Sequence, residues 1–387
     1  MTEIFDVLYY FAIMIAAISL LITLSNIRFI DSLELSLNKF KNQNSHHLVS
    51  ILVPARNEEE NIAQCLHALI AQNYEPLEII VLDDRSTDRT MEIVQDIAAS
   101  DTRVTALSGT ELPSGWIGKN WACHQLAQKA TGEFLLFTDA DTILSNVAIP
   151  AAVLNSINSS VDLLTVMPRR ITRCVVEKLL FPFIDWASFC WMPMKRAHNS
   201  RNSHLSATFG QFMFFKREAY QEIGGHAAIR SIPIDDFALG RSIKKHGLRW
   251  TLVEGANCVR VLPSNGNVDA FRDVSRSIFP AIYHRFSLFA FLAVTLLALG
   301  FLPLLAFTTS VIAYPHESQA LVISTTSMCM TAIPWFIVCL KFNHGTFTGL
   351  LYPLSIFLMV IVAFHSVITY SFGPPSWKKR KLVGLHR

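Results

Sequence analysis

Apolar residues along the chain fall into two kinds of run, and the difference between them predicts most of the architecture. Four runs are long and free of acidic or basic Lys/Arg side chains: residues 7–27, 287–314, 319–340 and 350–372. Each is long enough to cross a bilayer at helical rise. Pro303, Pro334 and Pro353 fall where neighbouring helices can satisfy the carbonyls they free. The first run exceeds the core of a usual signal peptide, with neither a positive start nor a clear Ala-x-Ala site, so it is expected to stay as an anchor. The chain between, about residues 33–285, is expected to be globular.

In that middle part the apolar runs are short and alternate with helical spacing. Residues 48–53 read as a strand stopped by Pro54, and 59–72 then repeat apolar residues at Ile62, Cys65, Leu66 and Leu69 as a helix does. Residues 77–82 form the next strand, and 89–99 the next helix, with Ser86, Thr87 or Asp88 available to cap it. A strand at 104–107, a helix at 121–130 and a strand at 133–137 follow. Strands alternating with helices predict an α/β fold, a mostly parallel doubly wound sheet covered on both faces. Ligands of such sheets bind beyond the carboxyl ends of the strands, where Pro54, Asp83, Asp84, Asp139 and Asp141 all fall.

Composition agrees with the long runs: 387 residues that are 51% hydrophobic exceed one average domain and are more apolar than a soluble chain. A net charge of +3 leaves no nucleic-acid footprint. The position of charge says more than its sum. Glu3 and Asp6 precede the first run and Arg28, Lys39 and Lys41 follow it, which favours a cytoplasmic globular region. The tail Lys378-Lys379-Arg380-Lys381 also favours the cytoplasm, yet four full crossings put the two on opposite sides. Either one segment is re-entrant or interfacial or the tail breaks the rule, and the number of crossings stays open. The seven cysteines form no CxxC pair and no zinc spacing, so reduced, mostly buried thiols are expected.

Three acidic clusters lie between the hydrophobic ends: Asp83-Asp84-Arg85-Ser86-Thr87-Asp88, Asp139-Ala140-Asp141 and Asp235-Asp236. Each adjoins an apolar stretch. Two carboxylates one residue apart after a buried strand can divide two tasks, one binding a hard cation and the other accepting hydrogen bonds from a sugar ring. Magnesium and manganese prefer such oxygen ligands and complete their shells with phosphate oxygens. Taken alone, Asp139-x-Asp141 is equally a plain turn. Asp83 and Asp88 have the alternative of capping the following helix, and Asp235-Asp236 that of complementing a helix dipole.

Taken together, the stretch from Ser50 to about Arg260 resembles family 2 glycosyltransferases, which have the A-type nucleotide-sugar fold. The resemblance lies in Val53-Pro54-Ala55-Arg56-Asn57-Glu58, Leu82-Asp83-Asp84-Arg85-Ser86-Thr87-Asp88, Gly118-Lys119-Asn120-Trp121-Ala122 and Thr138-Asp139-Ala140-Asp141. It continues through Phe215-Lys216-Arg217-Glu218-Ala219-Tyr220-Gln221-Glu222-Ile223-Gly224-Gly225-His226 and Asp235-Asp236-Phe237-Ala238-Leu239-Gly240-Arg241. It implies that Pro54, Arg56 and Glu58 line the nucleotide pocket, that Asp84 bonds the base, that Asp139 faces the ribose and that Asp141 holds Mg2+ or Mn2+ on the diphosphate. Asp236 would be the general base that deprotonates the acceptor in an inverting displacement. Asp235 stands where the family often has Glu, which puts that neighbour's contacts in question more than the mechanism. Lys119 has two readings, a charge on the diphosphate or an ordinary solvated lysine.

The same resemblance implies an acceptor side at Gly210, Gln211, Gly225, Asp235 and, further along, Arg276; the glycines read equally as turns. Arg276 reads either as a diphosphate contact or as an interfacial anchor. The segment Pro113-Ser114-Gly115-Trp116-Ile117-Gly118-Lys119-Asn120-Trp121-Ala122 is similar to one in glycosyltransferases of carotenoid and hopanoid pathways. Residues 174–194 are rich in aromatic residues between basic flanks and read either as an interfacial segment or as a buried helix. The Gln-x-x-Arg-Trp signature of processive synthases is missing, and Arg272-Asp273-Val274-Ser275-Arg276 stands in that region.

The expected organisation is therefore an anchor over 1–30, a cytoplasmic glycosyltransferase region over 31–286, membrane segments over 287–373 and a basic tail over 374–387. Within the second, 48–142 would bind the nucleotide and 143–286 the acceptor, with 174–194, interfacial in one of its two readings, in the latter. The expected function is transfer of a sugar from a nucleotide-sugar, a UDP-sugar favoured, to a lipid such as a carotenoid or hopanoid-type terpenoid at the plasma (inner) membrane. Polyprenyl phosphate, diacylglycerol or ceramide acceptors are the alternatives, as is a catalytically silent nucleotide-sugar-binding membrane protein.

Overall fold

The computed structural model describes residues 2–35, 37, 46–313, 316–373, 376–377 and 380–381. Lys39, Lys41, Tyr314, Lys378 and Lys379 lie outside the described residues. The chain divides into two compact units. One holds residues 30–171, 196–262 and 374–387, the other residues 1–29, 172–195 and 263–373. Residues 172–195 and 263–286, expected within the globular region, thus group with the helical one.

The first unit is built on a seven-stranded sheet of order β3-β2-β1-β4-β8-β6-β9. Its strands are β1 (Val49–Ala55), β2 (Leu77–Asp83), β3 (Val104–Ser108), β4 (Phe134–Phe137), β6 (Leu163–Met167), β8 (Met213–Lys216) and β9 (Trp250–Glu254). Strand β8 runs antiparallel to β4 and β6, and every other pairing is parallel. The expected doubly wound sheet is present, interrupted by one reversed strand. Residues of β1, β2, β4 and β6 are buried almost throughout, because helices cover both faces and a parallel sheet then tolerates side chains of one kind only. The helix Ile62–Ile70 shows how the sequence sets this: Ile62, Cys65, Leu66 and Leu69 share one face at helical spacing and are wholly buried. They join Ile51, Val53, Ile79 and Leu136 in one core. Emptying such a position, as Leu66→Ala would, costs roughly 2–5 kcal/mol.

Strands β1 to β4 point the same way, so the loops after them open on one edge of the sheet. A second sheet of order β5-β10-β7 closes the loop after β4: β5 (Thr142–Leu144) and β10 (Val259–Val261) pair antiparallel beside β7 (Arg169–Arg170). The amide of Leu262 donates to the carbonyl of Asp141 at 2.8 Å, which fixes the backbone there.

The helix expected at 121–130 begins three residues earlier, spanning Gly118–Lys129. The Ile117 amide is held by the Arg230 carbonyl at 2.8 Å, and its carbonyl accepts from Trp121 at 2.9 Å. A distant loop therefore starts the helix, and Lys119 and Asn120 stand on its first turn.

Among the described residues, the second unit contains four helices long and apolar enough to cross a membrane: Val7–Phe29, Phe286–Ala313, Ser318–Lys341 and Tyr352–Phe372. Their outer side chains are large and apolar, with Leu21 68%, Ile312 80% and Phe364 54% exposed. Their inner ones are often small and polar, with Ser19, Thr23, Asn26, Ser324, Ser327, Thr331, Ser355 and Ser366 buried. This is the reverse of a soluble bundle and suits a lipid solvent, in which close packing and hydrogen bonds, not apolar burial, join helices. Tyr9 and Ser327 share a hydrogen bond of 2.9 Å. Asn26 donates to the carbonyls of Phe189 and Met192, each at 2.7 Å. The aromatic segment forms the helix Val175–Trp191, in which Leu180, Phe183, Trp186 and Phe189 are buried against other helices of this unit.

Candidate functional site

The edge of the sheet beyond β1 and β2 is a clasp of two loops. Asn57 and Arg85 both adopt left-handed backbone, at φ 51° and 57°, which turns the loops toward each other. Asn57 Oδ1 accepts from the Thr87 amide at 2.8 Å, the Asn57 amide donates to Ser86 Oγ at 2.9 Å, and the Glu58 amide donates to Thr90 Oγ1 at 2.8 Å. Arg56 Nη1 donates to the Asp84 and Arg85 carbonyls. Asp88 accepts from the amides of Glu59 at 3.2 Å and Thr90 at 3.1 Å, and Asp83 from that of Ser86 at 3.1 Å. Asp88 thus bonds the first amide of the helix Thr90–Ser100, while Asp83 holds the turn ahead of it and does not cap that helix. Asp84 is 3% exposed, and its amide donates to Ala55 at 2.7 Å. Pro54 lies on β1 opposite Leu82. These residues come together as one wall.

The second wall gathers four distant segments. Lys119 Nζ, from the first turn of its helix, lies 2.9 Å from Asp139 Oδ1 and 3.4 Å from Asp235 Oδ2. Its side chain is only 25% exposed, so the solvated-lysine reading does not hold. Asp235 and Asp236 open the helix Asp235–Lys245. Asp236 Oδ1 accepts from the Phe237 amide at 2.7 Å, and Oδ2 from the Gly210 amide at 3.1 Å. A Cβ placed on Gly210 would stand 3.4 Å from Lys119 Nζ, 3.7 Å from Asp236 Oδ2 and 3.8 Å from Asp139 Oδ2. Gly210 therefore faces the gap those three groups surround. The neighbouring Gln211 contributes its carbonyl, which accepts from Thr138 Oγ1 at 2.8 Å.

The electrostatics of the two adjacent acids diverge. Burial raises the proton affinity of Asp236, and the negative charge of Asp235 raises it further, to a pKa of about 7; Lys119 and the Phe237 and Gly210 amides pull it back. Burial acts on Asp235 in the same sense, but Lys119 and His226 outweigh it and hold that carboxyl well below the usual range. Burial opposes the charge of Lys119, and Asp139 and Asp235 overcome it, so the ammonium keeps its proton well above its ordinary value. The pair thus consists of a fixed anion and a neighbour poised near neutrality. Such a separation is what a general base requires.

Three supports escaped the sequence reading. Asn120, 1% exposed, directs its amide nitrogen to the carbonyls of Ile229, Arg230 and Ile232 at 2.9, 3.3 and 3.0 Å, tying the loop before Asp235 to the Lys119 helix. Tyr220 and His226 form a buried hydrogen-bonded pair behind Asp235. Gly225, expected on the acceptor side, has φ 50°, and a Cβ there would stand 2.5 Å from the Tyr220 ring; its role is to let that ring pack. Gly240 similarly admits Thr208, whose Cγ2 a Cβ would meet at 2.6 Å. In the sequence, Asn120, Tyr220 and His226 stand within the family-like segments 118–122 and 215–226, and no local pattern singles them out. Arg276 belongs to the other unit, on the helix Asn267–Ala281, with Nη1 3.4 Å from Asp273 Oδ1.

Among the described residues no group of three or more His, Cys, Asp or Glu side chains could hold a metal ion by itself. Asp141 and Asp139 offer hard oxygen donors at the end of β4, and one oxygen of Asp139 is already engaged by Lys119.

Comparison with known proteins gives these geometries a context. Residues 50–224 match the model of the family described as "Glycosyl transferase family 2". The chain is 31% identical over 218 residues to a 4,4'-diaponeurosporenoate glycosyltransferase of Staphylococcus aureus (strain USA300), a match covering 54% of this chain and 55% of the relative. The chain thus spans about half the length of the curated relatives it matches. Among solved structures, a mannosyltransferase of Pyrobaculum calidifontis in complex with GDP-Man and Mn2+ is 18% identical, covering 89% of this chain and 98% of that one with a TM-score of 0.48. The TarS protein of S. aureus (residues 1–349) in complex with UDP is 15% identical, covering 84% and 91% with a TM-score of 0.41.

Proposed function

We propose that this chain, whose residues 50–224 match the family 2 glycosyl transferase model, is a membrane-bound inverting glycosyltransferase that moves a sugar from a nucleotide-sugar to a lipid acceptor. The observation that carries the reading is the gap beside Gly210, bordered by Lys119, Asp139 and Asp236. It joins a buried cation suited to a diphosphate with an acid of raised proton affinity suited to an incoming hydroxyl.

In this reading Pro54, Arg56, Glu58 and Asp84 hold the nucleotide, and Asp139 faces its ribose. Asp236 takes the proton of the acceptor hydroxyl as that oxygen attacks the anomeric carbon, and the nucleoside diphosphate leaves on the opposite side, which inverts the centre. Lys119 offsets charge on the departing phosphates. Asp141 is the ligand for a divalent cation, Mg2+ or Mn2+. The oxygen donors fit a hard ion, whose remaining ligands would be phosphate oxygens of the donor and water. When bound, the cation supplies Lewis-acid stabilisation of the leaving group. The donor is a UDP-sugar. The acceptor is a terpenoid of the carotenoid class, the class to which the named substrate of the S. aureus relative belongs. The four apolar helices support a membrane location for such a substrate. The catalytic region would be cytoplasmic, at the plasma membrane.

The test uses the purified full chain in lipid nanodiscs with labelled UDP-hexoses, Mg2+ or Mn2+, and carotenoid acids and alcohols. Labelled glycolipid should form with the wild type; from a carotenoid alcohol it should not form with Asp236→Asn, which should still bind donor. Asp141→Asn should lose cation-dependent donor binding. Donor binding with no turnover across carotenoid, polyprenyl-phosphate, diacylglycerol and ceramide acceptors would overturn the enzyme reading in favour of a binding protein.

A further inference from the structure

Behind the two acids lies a polar array that the proposed reaction does not yet use. Tyr220 is 5% and His226 1% exposed. The Tyr220 hydroxyl accepts from the backbone amide of His226 at 3.0 Å and lies 2.7 Å from His226 Nδ1. A hydroxyl has a single proton to give. The oxygen could accept a second bond, but among the described residues Nδ1 is the one acceptor within reach of the buried hydroxyl's own proton, so a protonated Nδ1 would leave that proton unpaired; Nδ1 is therefore the acceptor. The imidazole proton is left on Nε2, and Nε2 lies 3.9 Å from Asp235 Oδ2. Gly225 makes this possible, since any side chain there would strike the Tyr220 ring.

We propose that His226 is a positioning residue for the transfer reaction: Tyr220 fixes it in the Nε2–H tautomer, and that N–H, together with Lys119, holds Asp235 as an aligned anion beside Asp236. The contact at 3.9 Å is electrostatic rather than a short hydrogen bond. Its effect comes from its dry setting, where a dipole aimed at a carboxylate counts for more than in water. Asp235 in turn keeps Asp236 a strong enough base to take an acceptor proton. The charged and titratable groups acting on this array are Lys119, Asp139, Cys123, His124, Asp235 and Asp236. Burial lowers the proton affinity of His226, in keeping with a neutral ring. The role parallels that of the outer-shell partners that fix the tautomer of metal-bound histidines, here with a carboxylate in place of the metal.

This inference rests on the proposed glycosyl transfer, so the experiment includes one measurement independent of turnover. The 15N resonances of the His226 imidazole, assigned by comparison with His226→Gln in the full chain, report the tautomer whether or not sugar is transferred. Protonated Nε2 and unprotonated Nδ1 are expected, and the opposite tautomer overturns the proposal. In the transfer assay, Tyr220→Phe and His226→Leu should each lower kcat about tenfold with the donor KM unchanged. His226→Gln should stay within about threefold, because a carboxamide can both accept from Tyr220 and donate to Asp235. Tyr220→Phe should cost nothing further in the His226→Leu background. A His226→Gln enzyme as slow as His226→Leu, or a Tyr220→Phe enzyme at the wild-type rate, overturns it. Should His226→Leu fail to fold, the tautomer and Tyr220→Phe still decide. If the wild type transfers no sugar while the tautomer is as expected, the fault lies with the reaction assigned and not with the array.

Discussion

The backbone amide of Gly210 donates to Asp236 Oδ2 at 3.1 Å, so the base is oriented by a residue that has no side chain to fill the space before it. A methyl group there would meet its nearest neighbours at 3.4 to 3.8 Å, ordinary contact distances, and Gly210 is not among the glycines with positive φ. Gly210→Ala should therefore fold with a melting temperature close to wild type and yet lose most transfer, because the methyl occupies the gap between Lys119, Asp139 and Asp236. Thermal melting and turnover measured on one preparation check this. A variant that melts normally and transfers normally would mean that the sugar reacts elsewhere.

Asp236 should be a residue that function keeps against stability. Its carboxyl holds a proton up to about pH 7 in the folded chain, above its ordinary value. The folded state therefore binds more protons than the unfolded one, and stability falls as pH rises from the ordinary carboxyl range through about 7. Asp236→Asn removes the like charge beside Asp235 and should raise the melting temperature at pH 8. The gain should shrink as pH drops below 7. A series of melts against pH, wild type beside variant, gives the answer.

The same property distinguishes two kinds of acceptor. A hydroxyl needs the ionised base, so its transfer rate should rise with pH through about 7. An acceptor carboxylate is already a nucleophile and is repelled by an ionised Asp236, so its rate should fall over the same interval. Profiles of kcat/KM for a carotenoid alcohol and a carotenoid acid should thus slope in opposite directions. Parallel profiles would remove Asp236 from the acceptor step.

Asn120 should act on stability and alignment together. Its side chain serves three carbonyls of the loop ahead of Asp235. Asn120→Ala deletes these bonds, at a cost of roughly 0.5–1.5 kcal/mol for each, although the Ile229 and Arg230 carbonyls keep the amides of Ile232 and Ile117. It also frees the loop that sets Asp236. Lower melting temperature with a reduced kcat and a nearly unchanged donor affinity is expected from unfolding curves, kinetics and donor titration. Full activity in a destabilised variant would limit the residue to a structural part.

Sequence alone determined the elements whose physics is local. The four long apolar runs, the β-branched strands at 48–53 and 77–82, and the helical spacing of Ile62, Cys65, Leu66 and Leu69 each carry their signal within a dozen residues or two, and each has its counterpart in the structure. The three acidic clusters were legible for the same reason, since a carboxylate after a buried strand stands out in any reading. Tertiary structure decided everything that depends on who meets whom. Lys119 could be solvated or paired until Asp139 and Asp235 arrived from 20 and 116 positions away and left it three-quarters buried. The reversed β8 brings the loop with Gly210 to the end of β4, and no periodicity encodes that reversal. Asp235 and Asp236 are neighbours with the same side chain, and only their surroundings, Lys119 and His226 for one and a backbone amide from Gly210 for the other, make one a fixed anion and the other a base. A charge acquires its proton affinity from what it faces after folding, and a linear sequence does not contain those distances.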